Sequence, residues 1–143
     1  MTTLWMALLS GAMVASAGAP LQHHTRVDHA SGAAEALYRG EIAVEQREVG
    51  TVGPGGRAST LRCRWTAGLV VDREARHASG ATFARRFDTG RVIEGSRPGW
   101  CTTHRRAIAQ EIAQRSGELH GHLVAVAQED HHVLRAELDR SRG

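Results

Sequence analysis

Between Leu61 and Val71 the chain alternates without a break: Leu61, Cys63, Trp65, Ala67, Leu69 and Val71 are separated by Arg62, Arg64, Thr66, Gly68 and Val70. A period of two puts successive side chains on opposite faces of a strand, so this run predicts a long strand with its apolar face, Cys63 included, turned inward. Beyond Cys101 the spacing changes. Ile108, Ala109, Ile112, Ala113, Leu119, Leu123, Val126, Ala127, Val133, Leu134 and Leu138 recur at three- and four-residue steps, which predicts helix over 102–140, with Thr102 or Thr103 as a capping residue. Ser116-Gly117 either divides this helix in two or weakens one helix, and whether it continues through Gly117 and Gly121 is left open by the sequence.

Shorter signals place the remaining strands within 37–100. Tyr38, Ile42 and Val44 alternate with Arg39, Glu41, Glu45 and Arg47, and Val52-Gly-Pro-Gly-Gly-Arg57 forces a loop. Ala78-Ser-Gly80 reads as a turn, Phe83 and Phe87 share one strand face, and Asp88-Thr-Gly-Arg91 reads as a hairpin turn into Val92-Ile93. A one-faced sheet and an amphipathic helix each need a partner for their apolar side. The expected fold is therefore α+β, a three- or four-stranded antiparallel meander packed against one long or broken C-terminal helix. At 143 residues the chain has length for one domain, placed at 36–143, and it shows no internal repeat and no extended heptad run.

Leu4 to Ala17 reads LWMALLSGAMVASA, an uncharged apolar stretch ending in an A-x-A pattern, which predicts a signal peptide at 1–17 with cleavage after Ala17. Ala17-Gly18-Ala19 is a second site, but it would leave Pro20 just after the cut. The n-region, Met1 to Thr3, carries no Lys or Arg. The run is shorter than the roughly 20 apolar residues of a spanning helix, and no cysteine stands at the cleavage site to receive a lipid. Residues 18–35 are small, polar and His-containing and read as a flexible arm.

Export to the periplasm or beyond fits the only two cysteines, Cys63 and Cys101, as an even pair in an oxidising compartment. A disulfide is expected between them. Closing a loop of about 39 residues would stabilise the fold by roughly 4 kcal/mol on chain-entropy grounds. The bridge would tie the middle of the long strand to the start of the helix, with Trp65 packed nearby.

All 18 basic residues are Arg, which excludes Lys-based Schiff-base chemistry and Lys-dependent phosphate loops. Residues 54–106 hold 11 Arg against 4 acidic residues, whereas the flanking segments are acidic on balance. Arg62, Arg64, Arg85, Arg86 and Arg97, with Trp100 as an exposed anchor, form a candidate surface for an anionic envelope component or a protein. The bland alternative is a solvated face balanced by Glu41 and Glu45. Export and the scarcity of aromatics disfavour nucleic acid.

Nine histidines raise a metal-binding alternative, with His23, His24 and His29 as ligands for Zn or Cu. On the helix, His120 and His122 lie about 200° apart and His131 and His132 about 100° apart, so neither pair chelates. No cofactor is otherwise implied. Gly95-Ser-Arg-Pro-Gly99 lacks the spacing of a nucleophile elbow, so a small hydrolase would have to gather Ser96, His77 or His104 and a carboxylate. Asp72 with Glu74 and Glu129 with Asp130 are acidic pairs on an open strand end and a helix surface, where nothing desolvates them. The expectation is a non-enzymatic binding or structural module.

Overall fold

The structure is a computed structural model that describes residues 21–55 and 59–141. The expected signal peptide, 1–17, lies outside the described residues. Four strands, β1 (Leu21–Val27), β2 (Ala34–Val49), β3 (Arg62–His77) and β4 (Thr82–Pro98), are followed by a 3₁₀ turn (Cys101–His104) and two helices, α1 (Arg105–Gln114) and α2 (Ser116–Arg140). The strands form one antiparallel sheet in the order β1-β2-β3-β4. The helices cover one face of it, so the fold is the expected α+β meander with a helical layer.

Three local expectations are corrected. The segment read as a flexible arm supplies an edge strand, with Leu21 opposite Gly40 and Val27 opposite Ala34. Its apolar signal is weak because an edge strand beside an Ala-rich neighbour buries few large side chains; Val27, Ala34 and Ala36 are all fully buried. Asp88-Thr-Gly-Arg91 is not a hairpin turn but an irregularity inside β4, opposite a register shift between Gly68 and Val70. Gly90 has φ 69°, its amide donates to Asp88 Oδ1 at 2.6 Å, and the Leu69 amide donates to Thr89 Oγ1 at 3.0 Å. Gly68 is required there, since a Cβ would lie 1.8 Å from the Gly90 carbonyl oxygen. Finally, neither Thr102 nor Thr103 caps a helix. The 3₁₀ turn intervenes and His104 precedes α1, its Nε2 bonded to the Pro98 carbonyl at 2.6 Å.

The helix does divide, at Arg115, and α2 then runs unbroken through Gly117 and Gly121. The disulfide joins Cys63 to Cys101 with Cα atoms 4.8 Å apart. Cys63 is the second residue of β3 rather than its middle, because β3 continues past Val71 to His77. Cys63, Trp65, Leu69, Val71, Ile108, Leu119, Leu123 and Leu134 belong to one buried cluster between sheet and helices. No described helix is long and apolar enough to cross a membrane.

Candidate functional site

The outward face of the sheet is a quilt of charges whose rows follow the strand register. Arg39, Asp72 and Arg86 form one row, with Arg86 bonded to Asp72 at 3.0 Å. Glu41 and Asp88 flank Val70 in the next, and Glu45 and Glu94 flank Thr66 further on. Over this stretch carboxylates outnumber guanidinium groups, so the face is not basic as a whole.

Towards the disulfide end the sign reverses. Arg47 stands directly across from Arg64, and Arg62, the next outward residue of β3, is opposite Val49 and Pro98. Like charges directly opposite on neighbouring strands are destabilising. Among the described residues none of the three guanidinium groups has a carboxylate within ion-pair distance; Arg62 Nε donates instead to Ser96 Oγ at 2.8 Å. Arg47, Arg64, Arg91, Glu45, Glu94 and Gly95 are among the residues that line an open concavity of about 830 Å³. Trp100, 53% exposed, follows two residues after Pro98 at the same end.

The opposite face shows how the protein treats the same problem when it is solved internally. Arg73 and Arg85 are also cross-strand neighbours, and Arg73 is fully buried. Asp130 of α2 is inserted between them. Its carboxylate accepts from Arg73 Nε at 2.8 Å, from the Tyr38 hydroxyl at 2.8 Å and from Arg85 Nη1, while Glu137 accepts from Arg73 Nη1 at 2.8 Å. Burial alone pushes the Asp130 carboxyl upward, but the hydrogen bonds from Arg73, Tyr38 and Arg85 outweigh it and hold it below the usual carboxylate range. Burial and the Asp130 charge push the Tyr38 hydroxyl the other way, well above its ordinary value.

The six residues expected to bind an anion therefore divide. Arg62, Arg64 and Trp100 share the disulfide end; Arg86 is on the same face but paired with Asp72; Arg85 belongs to the Asp130 cluster and stacks over Phe87, 4.7 Å from the ring centroid. Arg97 faces the helices and pairs with Glu111 at 3.3 Å. Arg47 was missed because the Glu41 to Glu48 stretch reads as acidic in sequence, and only the register shows it facing Arg64. Asp130 was misplaced: it is buried, not on a helix surface, and its partner Arg73 occupies an inward strand position that the alternation after Val71 already marked.

The candidate metal ligands do not converge. His23 lies against Tyr38, with ring centroids 6.4 Å apart, His24 faces Glu35 at 3.6 Å, and His29 bonds Asp139 at 2.6 Å. Among the described residues no group of three or more His, Cys, Asp or Glu side chains could hold a metal ion. Ser96, His77 and His104 are likewise held by different partners, namely Arg62, the Ser31 and Ser79 hydroxyls, and Pro98.

A different serine does sit between imidazoles. The five residues His-Ala-Ser-Gly-Ala occur at 29–33 and again at 77–81, so the chain contains a short repeat that the sequence reading overlooked. Both copies make hairpin turns: Gly32 and Gly80 have φ 126° and 90°, and their amides donate to His29 and His77 carbonyls at 3.0 and 2.9 Å. In each turn the serine amide donates to the histidine Nδ1 at 3.1 Å, which leaves the proton on Nε2 of the neutral ring. A directed chain results, from Ser79 through His77, Ser31 and His29 to Asp139 near the end of α2, with links of 2.8, 3.1, 2.6 and 2.6 Å. The Ser31 and Gly32 amides are both spent on His29, so neither is free to stabilise an oxyanion. The arrangement is a latch between two turns and a helix.

Comparison with known proteins returned no matching family model, no matching curated protein and no matching solved structure.

Proposed function

We propose that the protein is an exported, non-enzymatic binding module, periplasmic or secreted, that engages an anionic envelope component through Arg47, Arg62 and Arg64, with the exposed Trp100 at the same end of the sheet. The observation that carries the proposal is the contrast between two cross-strand Arg pairs. Arg73 and Arg85 are bridged by the Asp130 carboxylate, whereas Arg47 and Arg64 face each other at the surface with no carboxylate of their own among the described residues. A phosphate or carboxylate group supplied from outside would complete the second pair as Asp130 completes the first. Guanidinium groups suit this task because their fork of N–H donors matches both oxyanions.

Export is supported by the apolar stretch at 4–17, and the Cys63–Cys101 disulfide is compatible with an oxidising compartment. The test is binding of the purified chain to vesicles containing anionic phospholipid or lipopolysaccharide, against zwitterionic vesicles, at rising salt. Salt-sensitive binding to the anionic set, reduced about tenfold or more by Arg62→Ala with Arg64→Ala, supports the proposal. Binding unaffected by the two substitutions contradicts it.

A further inference from the structure

β2 is sixteen residues long, and among the described residues β1 covers its outer edge from Ala34 to Gly40. From Glu41 to Val49 that edge meets no other described strand, while the opposite edge pairs with β3 in an unbroken register. Such edges are usually blunted by charged side chains, a bulge, a proline or a tight cover, and here only charge is present, as Glu41, Glu45, Arg47 and Glu48. The sheet's other edge follows this rule, since β4 carries the Gly90 irregularity and ends on Pro98. The free stretch of β2, Glu-Ile-Ala-Val-Glu-Gln-Arg-Glu-Val, contains neither Pro nor Gly. It also holds two of the four exposed large apolar side chains among the described residues, Ile42 and Val44, both on the face that elsewhere packs against the helices.

We infer that this edge pairs with the same edge of a second copy, joining two four-stranded sheets into one eight-stranded sheet across a two-fold axis at Val44. The register centred on Val44 combines charge and apolar self-complementarity along this edge. With the apolar faces of both copies on the same side, antiparallel pairing centred on Val44 sets Val44 against Val44 and Ile42 against Gln46. On the outward face it sets each Glu41 against Arg47 of the other copy. Shifting the centre by one residue in either direction places Glu45 opposite Glu45 or Glu41 opposite Glu45, both like-charge contacts. Centring on Gln46 also sets Glu45 against Arg47, but it places Val44 opposite Glu48 instead of a second Val44, and its next pair, Ile42 with Gly50, falls on a residue with φ 91° beyond the strand. The favoured register spans Glu41 to Arg47 in each copy and stops where β1 begins to pair. In the dimer Arg47 stands between Arg64 of its own chain and Glu41 of the second copy, while Arg62 and Arg64 of both copies stay open on one continuous face.

Sedimentation equilibrium on the chain as isolated from cells, together with amide exchange at Glu41 to Arg47, tests this. A reversible dimer is expected, with exchange at these amides slowing as protein concentration rises. Glu41→Arg or Arg47→Glu alone should raise the dimer dissociation constant by roughly tenfold, because each creates two like-charge contacts, and the two together should restore it. Both side chains are exposed, so the variants should melt like the parent. A monomer at all concentrations would overturn the inference, as would swapped charges without effect or exchange protection in a monomer from the chain's own preceding residues. Arg64→Ala separates this from anion binding, since it should weaken vesicle binding and leave the dimer intact.

Discussion

Asp130 and Arg73 meet at 2.8 Å inside the core, a carboxylate from α2 and a guanidinium from β3 with side chains 1% and 0% exposed. A buried ion pair of this kind owes its tolerance to the remaining hydrogen bonds, here from Tyr38 and Arg85 to Asp130 and from Arg73 to Glu137. It fixes α2 against the sheet at one angular setting, because only one residue of the helix can place a carboxylate between two strand arginines.

Removing the carboxylate alone leaves Arg85, the Tyr38 hydroxyl and the buried Nε of Arg73 without their acceptor. Asp130→Ala should cost about 3–5 kcal/mol by chemical denaturation. Replacing the set together, Arg73→Met with Asp130→Leu and Tyr38→Phe, should cost markedly less than Asp130→Ala. A triple variant as unstable as the single one would show that the cluster contributes net stability rather than orientation.

The pH dependence follows from two groups of the same helix. Asp130 has a carboxyl held below its unfolded value near 3.9, so its contribution is present above that value and is lost as pH falls through the folded one. His131 is depressed by burial first and by Arg135 second, so the folded state resists its protonation and stability falls as pH drops below the unfolded value near 6.5. Urea midpoints measured from pH 8 to pH 3 should decline in two stages. His131→Gln should flatten the upper stage and Asp130→Asn the lower one.

Much of this architecture is legible in the residues. The alternation from Leu61 to Val71 and the helical period after Cys101 prescribe the sheet and the helical layer because each is a repeating burial pattern, and the even cysteine pair prescribes the staple. What escaped was whatever depends on register. Arg47 and Arg64 are seventeen positions apart and become neighbours only once Val44 is paired with Ala67. The strand at Leu21–Val27 was hidden by its polar composition, and the bulge at Gly90 imitates a hairpin turn because the same Asp-Thr-Gly chemistry serves both. The repeated His-Ala-Ser-Gly-Ala is too short to stand out until the two turns are seen side by side.

Cleaving the Cys63–Cys101 bond releases a loop of thirty-eight residues in separation, and Cys63→Ala with Cys101→Ala should lower stability by roughly 4 kcal/mol. Denaturation of the parent with and without reductant reads the same quantity, and equal midpoints would contradict it.

Two glycines should respond in opposite directions. Gly68→Ala drives a Cβ into the Gly90 carbonyl and should destabilise by about 1–3 kcal/mol as the backbone yields. Gly117→Ala, in α2 with nothing within 4 Å of the added carbon, should stabilise by about 1 kcal/mol through helix propensity. Thermal melts of the two variants suffice.

The most direct test of anion binding is a titration of the arginine Nε–Hε resonances with inorganic pyrophosphate. Saturable shifts at Arg47, Arg62 and Arg64, with Arg86 and the buried Arg73 unmoved, are the expected result. Shifts spread evenly over all exposed arginines, or none at these three, would contradict it.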